Sequence, residues 1–166
     1  MDAKTTFQNE KYRELLTLCQ ARGLSLTLQR KAILAHLAER VDHPTADQIF
    51  DALREQQDGL SRTTVYRVLD TFVHHGLVKK IACPDARSHF DANTRPHAHL
   101  VCLGCQQVMD GHEVSVPALD YPALTHDGFA IEECSIVFLG RCARCRKLSD
   151  PASATGNHPG PGKDRR

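Results

Sequence analysis

Apolar positions recur at helical spacing through the first half of the chain. In EKYRELLTLCQAR (10–22), Leu15, Leu16 and Cys19 share one face, and Gly23 closes the segment as a C-cap. Thr27 opens TLQRKAILAHLAER, where Ile33, Leu34, Leu37 and Ala38 form an amphipathic stripe. Pro44 and Thr45 open TADQIFDALREQ, with Ile49, Phe50 and Leu53 inward, and Gly59 breaks it. Ser61 caps a fourth helix, SRTTVYRVLDTFVHHG, whose core side is Val65, Val68, Leu69 and Phe72 and which ends at Gly76.

Beyond Gly76 the period changes. LVKKIA (77–82) alternates, runs into a turn at Pro84-Asp85, and SHFDA (88–92) is placed to pair with it. Helices followed by such a ribbon predict a winged helix-turn-helix. Residues 99–148 mix short strands (HLVCL, QQVMD, AIEECSIVFLG) with a weak helix over VPALDYPALTHDG, where Pro122 is ill-suited to the interior. The last stretch, DPASATGNHPGPGKDRR, is polar and rich in Pro and Gly, and is expected to be disordered. The fold class is therefore α+β.

Composition adds little until the cysteines and histidines are counted. Of 166 residues, 41% are hydrophobic and 25% charged, with a formal net charge of +1. That balance excludes a broad polyanion-coating surface but not a local basic patch. No apolar run approaches the roughly 18 residues that span a bilayer, and the N-terminus lacks a signal-peptide core. A cytoplasmic location is expected, with no membrane partner. Seven Cys and ten His then point to metal rather than disulfides.

Cys102-x-x-Cys105 and Cys142-x-x-Cys145 are two ligand pairs in separate turns. Two such turns complete a tetrahedral Zn2+ site with no open position, so a structural role is expected. Neither motif is expected to open a helix after a strand, which disfavours thioredoxin-like redox chemistry. Cys19 reads as core, and Cys83 and Cys134 as non-ligands.

A second cluster gathers Asp91, His97, His99 and Asp110. In an extended segment His97 and His99 point the same way. Imidazoles with carboxylates suit Fe(II), Mn(II) or Zn(II), although exposed H-x-H pairs are common without any metal.

The strings LTLQRKAILAHL, HPTADQIFDAL, SRTTVYRVLDTFVHHGLVKK, FDANTRPHAHLVCLGC and GRCARC, in that order from about residue 10 to 147, resemble the ferric uptake regulator superfamily. The resemblance implies a winged-helix DNA-binding domain (1–84), a wing end and hinge (85–96), a C-terminal α/β dimerisation and metal-binding domain (97–148) and a tail (149–166). It makes SRTTVYRVLDTF a recognition helix. Thr63, Thr64, Tyr66 and Arg67 are then expected to face the major groove, and Arg62, Lys79 and Lys80 the phosphates. A homodimer would present two such helices to a pseudo-palindromic double-stranded operator.

The resemblance also implies a regulatory site of His43, Asp91, His97, His99 and Asp110, with His43 drawn from the DNA-binding domain. Metal gripping all five would favour the DNA-competent arrangement. Zinc-sensing members usually carry Cys at the position of Asp91, and iron-sensing members Glu at the positions of Asp91 and Asp110. Asp at both is similar to the peroxide-responsive repressors. There, Fe2+ in the site reacts with peroxide and the histidines matching His43 and His97 are oxidised, while Mn2+ supports DNA binding without that chemistry. The alternative is an iron- or manganese-responsive repressor of metal-uptake genes. Pro96, Ala98 and Cys134 stand where many iron regulators place a further metal site, so that site is expected to be absent. An enzyme is not expected: no H-E-x-x-H or deaminase-type H-x-E signature is present.

Overall fold

The computed structural model describes residues 3–83, 87–112, 114, 123–132 and 134–149, and only the backbone of 3–8 and 149. The expected turn at Pro84-Asp85, the first half of the weak helix and the tail from 150 lie outside the described residues.

Four helices come first: α1 (Ala3–Ala21), α2 (Leu28–Glu39), α3 (Ala46–Leu53) and α4 (Arg62–His74). Their starts are set by side chains that satisfy the free N–H groups of the first turn. Thr27 Oγ1 accepts from Arg30 N–H and Ser61 Oγ from Thr64 N–H, while Thr45 and Gln48 form a reciprocal capping box. Gly76, at φ 60, ends α4 with Leu77 N–H reaching back to the Phe72 carbonyl at 2.8 Å. The expected stripes face one core: Ile33, Leu34, Leu37, Ala38, Ile49, Leu53, Val65, Val68, Leu69 and Phe72 are all buried in it, with Leu15 and Cys19.

The wing is an antiparallel pair, β1 (Lys79–Ala82) and β2 (Ser88–Asp91), in the register Lys79↔Asp91 to Ala82↔Ser88. It joins two cores. Phe90 packs into the helical core, and Ile81 into a second cluster with Val101 and Val108. The second unit is a three-stranded sheet in the order β4-β3-β5. Its strands are β3 (Ala98–Cys102), β4 (Val108–Asp110) and β5 (Ile136–Gly140). β4 lies antiparallel to β3, and β5 parallel to it.

Two expectations are corrected here. Residues 123–128, the described part of the weak helix, form a turn: Thr125 Oγ1 accepts from Phe129 N–H at 3.1 Å, and an isolated bridge joins Leu124 to Ala130. A Thr hydroxyl that captures a nearby N–H competes with helix formation. A helix also follows the last strand: α5 (Ala143–Ser149) begins inside Cys142-x-x-Cys145, so this motif does open a helix after a strand. Among the described residues no helix is long and apolar enough to cross a membrane.

Candidate metal centre

The sheet brings the two C-x-x-C pairs together because β3 and β5 run parallel and end side by side, Cys102 opposite Gly140. The four Sγ atoms lie within 4.8 Å of one another, and Cys105 and Cys142 are 3.9 Å apart. A tetrahedron with Zn–S bonds of about 2.3 Å sets its sulfurs about 3.8 Å apart, so the spacing fits zinc. Convergence of all four sulfurs replaces helix position as the reason to prefer a metal over a redox pair. Cys102 Sγ accepts from the Cys142 N–H at 3.2 Å. Backbone N–H groups of Cys142 and Cys105 draw the Cys102 thiol down to about 6, whereas the bond from Cys142, and then burial, push Cys145 up to about 12. A cation that makes every thiol a thiolate removes this inequality. Cys19 is fully buried in the helical core and Cys134 is exposed; neither they nor Cys83 join the cluster.

The second group assembles from three places. His43 precedes α3, Asp91 ends β2, and His97, His99 and Asp110 come from β3 and β4 with their approach, His99 pairing with Asp110 across the sheet. One ligand atom from each of the five lies within 4.8 Å of the rest. His43 Nε2 is 2.8 Å from Asp110 Oδ1 and 3.7 Å from Asp91 Oδ1. His97 Nε2 is 3.1 Å from Asp110 Oδ1 and 3.2 Å from Asp91 Oδ2, and His99 Nε2 is 3.5 Å from Asp91 Oδ2. His43, His99 and Asp91 are at most 5% exposed.

The donor set is arranged for a cation. His97 Nδ1–H donates to the Arg95 carbonyl at 2.8 Å, which turns Nε2 toward two carboxylates. Facing lone pairs and anions in a buried site repel unless a positive charge sits among them. Asp91 Oδ2 and His99 Nε2 are buried without a hydrogen-bond partner although they approach each other, as metal-directed groups do. Burial lowers the His43 imidazole, against the pull of Asp91 and Asp110, and so favours the neutral, ligating ring. Burial raises the Asp91 carboxyl, but His99, the Asn93 N–H and the other imidazoles outweigh it, leaving the group below its usual range. With nitrogen and oxygen donors the pocket suits a first-row divalent cation such as Fe(II) or Mn(II). A cleft of about 490 Å3 leads to it between α1 and the segment 92–95, with Glu10, Arg40 and His112 among its walls.

On α4, Thr63, Tyr66 and Arg67 are exposed opposite the buried stripe. Thr64 is half-buried and its hydroxyl pairs with Ser61 Oγ at 2.9 Å. Arg62 is held against α3: its guanidinium pairs with Asp47 and Asp51 and lies 4.6 Å over the Phe50 ring. Lys80 is exposed on β1, and Lys79 half-buried opposite Asp91. Sequence reasoning left His89 without a role; the structure buries it beside His43, with its Nδ1 2.6 Å from the His43 carbonyl oxygen. Its signal was position, two residues before Asp91 on one strand face.

A winged helix whose two units meet over a His/Asp cluster, with a four-sulfur cluster beside it, defines a metal-responsive, DNA-binding regulator. The chain belongs to the ferric uptake regulator family, whose model matches residues 21–139. It is 35% identical over 135 residues to the peroxide operon regulator of Bacillus subtilis (strain 168), covering 81% of this chain and 93% of that protein. It is 29% identical over 147 residues to the peroxide-responsive repressor of Staphylococcus epidermidis, covering 89% and 98%. Among solved structures it is similar to the Vibrio cholerae ferric uptake regulator, with a TM-score of 0.57 and 27% identity over 75% of this chain and 96% of that one.

Proposed function

We propose that the protein is a metal-dependent transcriptional repressor of the peroxide response. The observation that carries this reading is the convergence of Asp91 and Asp110, aspartates both, on His43, His97 and His99. The named peroxide regulators among its relatives support it. In this reading Cys102, Cys105, Cys142 and Cys145 hold a structural Zn2+, and the five His/Asp residues hold a regulatory Fe2+ or Mn2+.

His43 and Asp91 belong to the helical unit and its wing, and His97, His99 and Asp110 to the sheet unit. All five bind at once only when the two units are closed on each other, so binding energy stabilises that arrangement. Fe2+ held by these five residues would supply the one-electron chemistry that opens the O–O bond of hydrogen peroxide, and the two electrons the peroxide finally accepts would come from the histidine ring. The net change in the chain is one oxygen atom added to the ring of His43 or His97, with water released. An oxidised ring is a poorer ligand, the clamp loosens, and DNA is released. Thr63, Thr64, Tyr66 and Arg67 read the major groove, and Arg62, Lys79 and Lys80 lie near phosphates. Residues 1–84 form the DNA-binding domain, 85–96 the end of the wing and the hinge, and 97–148 the dimerisation domain. The exposed apolar strand β5, where Phe138 and Leu139 are 43% and 54% accessible, supports a homodimer on a pseudo-palindromic operator.

The test is anaerobic loading with Fe(II), one equivalent of peroxide, and mass spectrometry of the peptides holding His43 and His97. One added oxygen atom with loss of operator binding is expected, and neither with Mn(II). Unmodified peptides with DNA binding retained would favour an iron- or manganese-responsive repressor of metal uptake instead.

A further inference from the structure

His43 and Gln106 are the non-glycine residues with a left-handed backbone among those described, and His43 has φ 50. A residue with a Cβ holds that conformation only where its surroundings over-determine it. Strand β2 supplies the constraint. His89 Nδ1–H donates to the His43 carbonyl at 2.6 Å, Phe90 N–H donates to the Pro44 carbonyl at 3.1 Å, and an isolated antiparallel bridge joins Thr45 to His89. The strand itself cannot shift freely, because Phe90 is 2% exposed in the helical core. A carbonyl oxygen only accepts, so the bond also holds the His89 ring in its Nδ1–H form.

We propose that His89 is a positioning residue of the regulatory site. It latches the backbone of His43 in the left-handed conformation that aims its imidazole at Asp91 and Asp110. This rests on reading the five residues as a metal site. His89 is itself no ligand of this site: it lies outside the converging group of His43, Asp91, His97, His99 and Asp110. Without the donor, His43 relaxes toward ordinary φ and its ring leaves the cluster, while the other four groups stay.

Mn(II) affinity of the full-length, zinc-loaded protein, measured by chelator competition, tests this. His89→Leu is expected to weaken binding roughly 10- to 100-fold. His89→Asn, whose amide N–H sits near the place of Nδ1–H, is expected to recover most of that loss. In a His43→Ala background, His89→Leu is expected to add nothing, because its effect passes through His43. An equal further loss in that background, or no loss from His89→Leu alone, would overturn the latch. If His43→Ala left Mn(II) affinity unchanged, the metal-site reading would fall with it; if His43→Ala weakened binding and His89→Leu did not, only the latch would fall. Nitrogen NMR of the unsubstituted protein reads the bond without any variant: Nδ1 of His89 is expected to carry the proton, and an Nε2–H ring would refute the proposal.

Discussion

Gly104 shows how closely single residues are constrained around the cysteines. A Cβ built there would lie 2.9 Å from both Cβ and Sγ of Cys145, closer than real Cβ contacts, and α5 holds Cys145 from behind. Gly104→Ala is therefore expected to displace a zinc ligand. Faster zinc loss to a colorimetric chelator and a lower melting temperature are the expected outcomes; unchanged zinc retention would show that α5 can give way. The C-x-x-C spacing announced the ligands, but nothing in Leu-Gly between them said that the glycine faces the opposite pair. That contact spans the sheet. His89 is the same case: its partner is a carbonyl 46 residues away, and a lone histidine in a strand carries no sign of that.

At the scale of elements, α4 was the most legible. Its cap Ser61, its buried face and its closing glycine follow from local chemistry, and the structure places all three as expected. The division of labour among its arginines did not follow. Arg67 is exposed, whereas Arg62 is committed to Asp47 and Asp51 on α3. Arg67→Ala is expected to weaken operator binding by about 1–3 kcal/mol and to relax specificity at the base it reads, with little change in salt dependence. Arg62→Ala is expected to change DNA affinity less, and to lower stability by no more than ~1 kcal/mol because the ion pairs are half-exposed. Fluorescence anisotropy over a salt series, with thermal melts, checks both. Equal DNA losses would mean that Arg62 leaves α3 for phosphate on binding. Helix α5 was missed because, among its described side chains, burial is confined to Cys145 and offers no apolar stripe at helical period.

At the scale of the molecule, the two candidate metal centres are placed differently. The four-sulfur site lies within one unit, joining the ends of β3 and β5, while the His/Asp site draws on both units. Cys102→Ser is expected to cost zinc, thermal stability and dimerisation together. Asp110→Ala is expected to leave a folded, zinc-loaded dimer whose operator affinity no longer changes with Mn(II). Zinc analysis, sedimentation and metal-dependent gel shift distinguish the two; a stable zinc-free Cys102→Ser dimer would contradict this division.

What the sequence determined by itself is local: helix caps, the period of the buried faces, the wing, and the C-x-x-C and H-x-H pairs as candidate metal ligands; His43 joined the second set only through the family resemblance. Each of these local features depends on neighbours a few residues apart, where spacing and side-chain chemistry suffice. Tertiary structure alone decided which groups meet. It set the parallel pairing of β3 with β5 that closes the cysteine cluster, and it placed Phe90 in one core and Ile81 in the other. It also set the His89 ring against the His43 carbonyl and the Phe90 N–H against the Pro44 carbonyl. Those contacts join segments far apart in the chain, and they form only because burying both cores brings the strands into one register.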